Sequence, residues 1–444
     1  MAHVLLVESW VGAMAHLLPR AVLEAGHRFS FLTRDLHHYL RGAPAGGAHP
    51  LLAAHNVLTA ETNDLPGLLD HAQRLHQALR FDGVLTSCDY YLDTAAQLAA
   101  HLGLPGTHPA AVRRAYRKDL ARAAMDAADV PQPRYALAQS WSDVARAARE
   151  LGFPLVVKPV DLCAGMYVRE VADEAGLRAA FNALTGFPVN ARHQPRVPTV
   201  LLEELLSGPE VSVETVTVNG ETTVVGVTDK SLGGTSGFVE TGHMFPAPLD
   251  PATTRRAGEV AVAALAAVGL DRGVAHTELR LTPAGPRVVE VNPRPAGNQI
   301  TELVRRVTGI DLPMVYAQLA LGETADLTPA DTGVHSAAIA FVLPPRPGAI
   351  ARVDGTGAWQ TDPRVVDWSV KPAGHRAGDG SSNNDYLGHV MVVDTAGAGA
   401  RTIADGLAAQ VRVGYVDDDG TTDRDRSAAA PAAAPAAAPA GAAV

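Results

Sequence analysis

The amino-acid sequence predicts an α/β plus α+β fold, in which an N-terminal doubly wound α/β domain is followed by a larger, mostly antiparallel region. Two observations lead to this prediction: strands and helices alternate over the first 110 residues, whereas strands follow one another with few helices farther along the chain. The 444 residues correspond to roughly three domains. With 47% hydrophobic and 19% charged residues, the composition is that of a folded globular protein.

The first unit, residues 1–110, opens with a β–α–β pattern. Its predicted elements are a strand at 3–8, a helix ending at Ala25, a strand at 28–33, a strand at 83–87 and a helix at 93–101. Ligands of such sheets bind beyond the carboxyl ends of the strands. Six residues at these ends are therefore of interest: Glu8, Ser9, Trp10, Cys88, Asp89 and Tyr90.

Four further units are expected, at 111–200, 201–334, 335–423 and 424–444. Predicted strands lie at 155–159, 199–202, 210–218, 222–228, 275–281 and 287–291, and predicted helices at 116–128, 300–321 and 403–410. The unit at 335–423 is β-rich and small. The last unit is an Ala/Pro segment with few side chains to bury, which is typical of a disordered tail.

Charge and cysteine content narrow the possible partners and compartment. The net charge is −10, and no Lys/Arg-rich stripe is present, so we expect no nucleic-acid partner. Cys88 and Cys163 are too few for a disulfide framework. No basic leader and no apolar run of about 18 residues is seen, so neither export nor membrane insertion is expected. We therefore expect a cytoplasmic protein, and a homodimer by default for a soluble enzyme.

The strongest chemical signal is a predicted hairpin around the turn at Ala284. Centring the hairpin there places Glu278 opposite Glu290, and residues two apart on a strand share a face, so His276 and Asn292 join them. Like charges that face each other across two strands destabilise a sheet unless a cation compensates them. Two carboxylates and an amide oxygen are ligands suited to Mg²⁺. A solvated hairpin with incidental acidic residues is the alternative.

A lysine inside an apolar strand is the second signal. Lys158 follows Leu155-Val156-Val157, where an uncompensated charge is costly, and a nucleotide phosphate would compensate it. A lysine that extends from an edge strand into solvent is the alternative. The strand–turn–strand segment 200–213 could offer backbone groups to an adenine and the Glu210 carboxylate to a ribose. Neither a P-loop motif nor a G-x-G-x-x-G motif after the first strand is present.

Together these segments resemble the ATP-grasp superfamily of carboxylate–amine ligases. The resemblance covers roughly residues 1–416, and its G-x-x-H-x-E motif with a preceding Glu240-Thr241-Gly242-His243 is most similar to the L-amino acid ligases, or dipeptide synthetases. The resemblance implies an ATP-grasp fold, with a phosphate-binding loop in 111–200, an Mg²⁺ site in 201–334 and a C-terminal β-rich subdomain. It also implies an ADP-forming ligase that activates an amino-acid-like carboxylate as an acyl-phosphate and joins it to an amine.

The resemblance further implies a role for each matching residue. ATP would be bound by Lys118, Lys158, Glu203, Glu204, Leu206 and Glu210; two Mg²⁺ ions, for which Mn²⁺ could substitute, by Glu278, Glu290 and Asn292; and the carboxylate substrate by His243, His276, Arg294 and Asn298. Arg294 would also be catalytic, because it would stabilise the transferring phosphoryl group.

The sequence differs from the family's pattern at two places, and two other functions remain as alternatives. The loop 160–167 has one glycine where relatives have several, and Asn298 stands where many relatives have a second glycine after Gly297. An ATP-dependent carboxylase or purine-pathway ligase of the same superfamily is one alternative function. A non-catalytic ATP-binding regulatory protein is the other.

Overall fold

The computed structural model describes residues 1–40, 49–234, 237–416 and 426–427. Except for residues 426–427, the tail predicted at 424–444 lies outside these ranges. Within the described residues, no helix has the length and apolar character that a membrane span requires.

The N-terminal domain contains a parallel sheet of strand order β3-β2-β1-β4, which confirms the predicted doubly wound unit. All five residues of β1 are buried, as expected for a parallel strand that is covered on both faces. The elements are β1 (His3–Val7), α1 (Met14–Glu24), β2 (Arg28–Thr33), α2 (Leu36–Leu40), β3 (Asn56–Thr59), α3 (Leu65–Leu79), β4 (Gly83–Leu85) and α4 (Leu92–His101).

The next subdomain is a four-stranded antiparallel sheet of order β5-β8-β6-β7. Strand β6 matches the prediction at both ends. The elements are α5 (Pro109–Tyr116), α6 (Lys118–Asp126), β5 (Tyr135–Ala138), α7 (Trp141–Leu151), β6 (Leu155–Pro159), β7 (Arg169–Val171), α8 (Glu174–Thr185) and β8 (Val200–Glu204).

An eight-stranded antiparallel sheet of order β13-β12-β9-β10-β11-β14-β18-β16 forms the centre of the protein. Its strands are β9 (Glu210–Val218), β10 (Glu221–Gly233), β11 (Val239–Phe245), β12 (Gly273–Thr282), β13 (Gly285–Asn292), β14 (Ser336–Val342), β16 (Val365–Val370) and β18 (Gly388–Asp394). The remaining elements are α9 (Pro251–Val268), α10 (Ile300–Thr308), α11 (Leu312–Ala320), β15 (Gly348–Asp354), α12 (Gly357–Thr361), β17 (Arg376–Ala377), α13 (Ala400–Ala408), β19 (Arg412–Tyr415) and β20 (Arg426–Ser427).

The β-rich unit expected at 335–423 is joined to the central sheet, because β14 pairs with β11 and extends that sheet towards β18 and β16, while β17, β15, β19 and β20 form a separate four-stranded sheet. One prediction about this region needs correction. The helix predicted over 300–321 is two helices. It is interrupted at Gly309, whose φ of 76° is a left-handed conformation, and Asp311 caps the second helix.

Two β-bulges determine which side chains face the site. The β12–β13 hairpin turns one residue more tightly than a centre at Ala284 implies, and a bulge at Val289 restores the predicted pairing of Glu278 with Glu290. A second bulge at Thr241 shifts the pairing of β11 with β10, so that Ser231 pairs with Gly242 but Leu232 pairs with Glu240. Glu240 is thereby turned towards the same face as His243, three residues away.

The connection from β8 to β9 depends on Gly208, whose φ is 135°. A Cβ atom there would overlap the carbonyl oxygen of Leu281 on β12.

We expect Gly208→Ala to lower the free energy of unfolding by more than about 2 kcal/mol, since both backbone strain and a clash are introduced. Gly406→Ala is the matched control: nothing lies within 4 Å of its added Cβ, and alanine favours helix α13, so stability should be unchanged or higher. Urea unfolding of both variants measures this, and equal stabilities would contradict it.

Candidate active site

A cavity of about 550 Å³ is lined by the N-terminal domain, the four-stranded subdomain and one face of the eight-stranded sheet. It brings together the sequence-predicted site residues with one exception, His243. Those that line it are Lys118, Lys158, Glu203, Glu204, Leu206, Glu210, His276, Glu278, Glu290, Asn292, Arg294 and Asn298.

Lys118 begins helix α6 and reaches the β12–β13 hairpin. Its Nζ lies 2.9 Å from Glu290 Oε1 and donates to the carbonyl of Leu162 at 2.6 Å. Burial would lower the pKa of Lys118, but Glu290 outweighs burial and raises it. This lysine looked ordinary in sequence, because only the fold shows that its helix starts beside the hairpin.

Lys158 lies inside β6 as predicted, and its charge is compensated. Its Nζ is 2.7 Å from Glu203 Oε2, while Glu203 Oε1 accepts from Arg122 Nε at 2.6 Å. Burial lowers the pKa of Lys158 in spite of this pairing. The Glu203 carboxylate is therefore engaged by two cations, and the adenine contact expected of this residue stays a prediction.

Lys230 on β10 is the residue that the sequence analysis most clearly missed. Its buried ammonium lies 3.1 Å from Glu210, 2.9 Å from Glu240 and 2.9 Å from Glu278. Burial by itself would lower the pKa of Lys230, but these three carboxylates raise it well above its ordinary value. Glu210, the expected ribose ligand, also pairs with Arg280 Nε at 3.1 Å.

His276 lies between two carboxylates. Its Nδ1 is 3.0 Å from Glu214 Oε1, and its Nε2 is 3.2 Å from Glu278 Oε1. Burial would lower the pKa of His276, but these carboxylates raise it to about 9. The ring is thus an imidazolium at neutral pH, and it fixes Glu278 in addition to lining the cavity.

Arg294 connects the hairpin to the N-terminal domain. Its Nε donates to Asp89 Oδ1 at 2.8 Å, and a second guanidinium nitrogen lies 2.7 Å from the same oxygen. Asp89 follows β4, at a strand end where the sequence predicted a functional position. This charge-assisted contact fixes the guanidinium at the cavity wall.

His243 does not line the cavity. Its side chain is therefore not placed to contact a substrate directly. It is fully buried, with Nε2 3.3 Å from Glu240 Oε2 and its ring against Phe341. Glu240 does line the cavity and accepts a hydrogen bond from Asn298 Nδ2. His243 can therefore influence a substrate through Glu240 and through Phe341, both of which line the cavity.

One part of the cavity wall is formed by Glu204 and Leu206. The Glu204 carboxylate pairs with Arg134 Nε at 3.0 Å and with Arg287 NH1 at 2.7 Å. These contacts hold the end of β8 and the turn that follows β8 against β13. The Leu206 segment is left at the cavity surface.

The residues of the hairpin fit a magnesium ion in donor type and placement. Glu278 and Glu290 are paired across the hairpin, and Asn292 lies two residues from Glu290 on the same strand. The sequence analysis expected a cation to compensate these two facing carboxylates. In the structure, Lys230 pairs with Glu278 and Lys118 pairs with Glu290. No group of three or more His, Cys, Asp or Glu in the described ranges is placed to hold a metal ion. An ion there would thus share the two carboxylates and the amide with phosphate oxygens, which is usual for Mg²⁺.

Three family models match the chain. A model of the ATP-grasp N-terminal domain matches residues 24–106, one of the ATP-grasp domain matches 151–302, and one of the L-amino acid ligase C-terminal domain 2 matches 340–416. The uncharacterized protein y4rH of Sinorhizobium fredii is 30% identical over 350 residues, which cover 78% of this chain and 71% of y4rH. The chain belongs to the ATP-grasp carboxylate–amine ligases.

Other relatives of this ATP-grasp ligase match over part of their length. Human carnosine synthase 1 is 29% identical over 55% of this chain and 31% of its own, and alanine–anticapsin ligase of Bacillus amyloliquefaciens is 28% identical over 55% of each. The chain thus spans just under a third of the first relative and just over half of the second. The crystal structure of an L-amino acid ligase from Bacillus licheniformis has the same fold, with a TM-score of 0.78 and 21% identity over 94% of this chain and 99% of that one.

At both places where the sequence of this ATP-grasp ligase differs from the family pattern, the backbone has positive φ values. In the loop 160–167, Ala164 and Tyr167 adopt left-handed φ values of 56° and 60° beside Gly165 at 67°. Asn298 has a φ of 47°, which asparagine tolerates better than most residues. The backbone conformation that favours glycine is present at these positions without the glycine.

The sequence analysis named Glu240 only within a motif and gave no role to Lys230 or Glu214. Glu214 is a charge in a strand whose first eight residues are buried, which is the kind of signal that identified Lys158, whereas Lys230 stands between Asp229 and Ser231 and is not marked by an apolar run. Glu240 carries no such signal, because its direction depends on the bulge at Thr241. Cys163 also lines the cavity, but burial raises the pKa of its thiol well above the usual range, so it is not a thiolate.

The stability of the ligand-free protein should fall as pH rises from about 6.5 to about 9. Unfolded His276 loses its proton near pH 6.5, whereas the folded residue keeps it until about pH 9. The stabilisation is therefore complete below pH 6.5, decreases by about 1.4 kcal/mol per pH unit and totals about 3 kcal/mol. Urea unfolding from pH 6 to 9.5 measures the slope. His276→Gln should flatten it, and identical slopes for both proteins would contradict the assignment.

Proposed function

We propose that this ATP-grasp ligase transfers the γ-phosphoryl group of ATP to an amino-acid-like carboxylate, releases ADP, and joins the resulting acyl-phosphate to an amine. One observation carries the proposal: three buried lysines and an arginine surround the paired carboxylates of the β12–β13 hairpin within one cavity. A site with this charge pattern suits phosphoryl transfer, in which catalysis is mainly positioning and neutralisation of phosphate oxygens.

The steps balance without a covalent enzyme intermediate. A substrate carboxylate oxygen attacks the γ-phosphorus, and the bond to the ADP oxygen breaks. The amine then attacks the acyl carbon, inorganic phosphate leaves with the electron pair of the C–O bond, and the amine proton is lost. When bound, Mg²⁺ neutralises phosphate charge. Its ligands would be Glu278, Glu290 and Asn292.

The chain's own residues have separate roles in this proposal. Lys118 and Lys158 hold phosphates, and each would exchange its carboxylate partner for a phosphate oxygen. Arg294, oriented by Asp89, stabilises the transferring phosphoryl group. Glu204 and Leu206 border the adenine site, and Glu210 binds the ribose. His276 and Asn298 act on the carboxylate substrate through Glu278 and Glu240 respectively.

The names of the relatives support amide formation, because carnosine synthase and alanine–anticapsin ligase both name a ligation of amino-acid-like substrates. The match to an L-amino acid ligase C-terminal domain favours this function over the carboxylase and purine-pathway alternatives. The proposal includes two Mg²⁺ ions, for which Mn²⁺ could substitute, a homodimeric assembly and a cytoplasmic location.

A hydroxylamine trap tests the reaction. With ATP, Mg²⁺ and a panel of amino acids, an accepted carboxylate should give a hydroxamate together with ADP and phosphate in equal amounts. Arg294→Ala should reduce hydroxamate formation roughly 100-fold or more while ATP binding changes little, since its guanidinium acts mainly in the transition state. AMP and pyrophosphate as products would rule out the acyl-phosphate mechanism.

Glu290→Gln should abolish turnover and raise the Mg²⁺ concentration needed for nucleotide-induced thermal stabilisation, since an amide is a weaker ligand than a carboxylate. The control is Glu259→Gln, on the exposed face of α9 and outside the cavity. It should leave both measurements unchanged. A wild-type Mg²⁺ requirement in Glu290→Gln would remove this residue from the metal site.

A further inference from the structure

The chain has 37 lysine and arginine residues, of which only four are lysines. All four lysines line the same cavity. Lys118, Lys158 and Lys230 are buried and ion-paired with carboxylates. Lys371 is different: it is exposed, and within the described part of the chain no carboxylate lies within ion-pairing distance of it. The two arginines of the cavity wall, Arg280 and Arg294, are also ion-paired.

Lys371 lies at the far end of the cavity from the phosphate-binding lysines. It directly follows β16, and its backbone N–H donates to the carbonyl of Leu387 at 2.7 Å. Strand β16 is at one edge of the eight-stranded sheet and β13, which carries Glu290, is at the other. Since both ends contribute to the cavity wall, the cavity crosses the whole face of the sheet.

The groups near Lys371 can form hydrogen bonds but leave its charge uncompensated. The nearest acid on β16, Asp367, is engaged by His389 Nε2 at 3.0 Å, and His389 Nδ1 lies 3.0 Å from Ser369 Oγ. Between this cluster and Glu240, the rings of Phe341 and Tyr386 are stacked at 4.2 Å. This end of the cavity therefore has an aromatic wall, polar groups that can form hydrogen bonds, and a lysine that is not ion-paired.

We propose that Lys371 is a specificity-determining residue: it binds the carboxylate of an amino acid that serves as the amine substrate, and so selects it over amines that have no carboxylate. This inference rests on the proposed function. At any other cavity cation, a second carboxylate would have to displace an internal ion pair, whereas at Lys371 it displaces only water. The phosphate end would already hold the triphosphate of ATP, whose negative charge disfavours a further anion there.

The span between the two ends agrees with this assignment. Lys230 is on β10, and β16 is four strand-to-strand steps away, about 19 Å at about 4.8 Å per step. The two lysines are therefore far enough apart for the phosphates and the carboxylate of an amine substrate to be bound at separate places in the cavity.

The experiment compares amines with and without a carboxylate. An acyl substrate is first selected by the hydroxylamine trap, and the amines are glycine, alanine and phenylalanine, each beside its carboxamide, and glutamate beside glutamine. Amide formation should show a KM at least about tenfold lower for the free acids, the size of effect expected from one partly exposed charged contact. The glutamate and glutamine arm distinguishes a side-chain carboxylate from the α-carboxylate.

Lys371→Met should raise the KM for the free amino acid about tenfold, to that of its carboxamide, and leave the carboxamide unaffected. Lys371→Arg keeps the charge and should restore most of the preference. The matched control is Arg376→Met, an exposed charge on β17 outside the cavity, which should change nothing. Hydroxamate formation, which needs no amine, should be the same in all four proteins.

The outcomes separate this inference from the proposed function. If hydroxamate forms but acids and carboxamides are used equally well, or if Lys371→Met affects both equally, Lys371 does not bind the amine's carboxylate. A changed KM of the acyl substrate in the hydroxamate assay would place the anion on that substrate and overturn the inference. Absence of hydroxamate with every amino acid would instead refute the proposed function.

Discussion

The arrangement of carboxylates in the cavity depends on one buried ammonium group. Lys230 reaches carboxylates from three different strands, Glu210 on β9, Glu240 on β11 and Glu278 on β12. Without that cation, three carboxylates would lie close together in a poorly solvated place, where like charges repel strongly. The lysine thus keeps them ionised and oriented towards the cavity, and it fixes the relative positions of the strands that carry them.

The same sheet shows how a one-residue irregularity can create a functional position. A regular antiparallel strand sends residues three apart to opposite faces. The bulge at Thr241 removes this restriction, so Glu240 and His243 act together, and the bulge at Val289 preserves the facing pair of the hairpin. The carbonyl of Val289 accepts from Arg122 at 2.7 Å, so the bulge also offers an acceptor to a cation that no regular ladder would expose.

The sequence was most informative where a charge interrupts an apolar strand or where two strands are joined by a short turn. Lys158, Glu278, Glu290 and Asn292 were located for these reasons, and the boundaries of β2, β6 and β9 followed from apolar runs. Bulges, by contrast, have no signature in hydrophobic periodicity, and the expected centre of the hairpin was wrong even though the pairing was right. Contacts distant in the chain, such as Asp89 with Arg294, depend on how domains meet, and local pattern contains no information about that.

The position of β16 at the sheet edge has a consequence for how this protein can diversify. An edge strand has only one hydrogen-bonded neighbour, so its side chains can change, or its length can vary, without breaking ladders on both sides. The opposite edge strand, β13, is different, because its Glu290 is ion-paired with Lys118 and the neighbouring β12 carries Glu278, which is ion-paired with Lys230. Substitutions on β16 can therefore alter one end of the cavity without breaking the ion pairs at the other end, so the two edges of one sheet differ in how freely they can change.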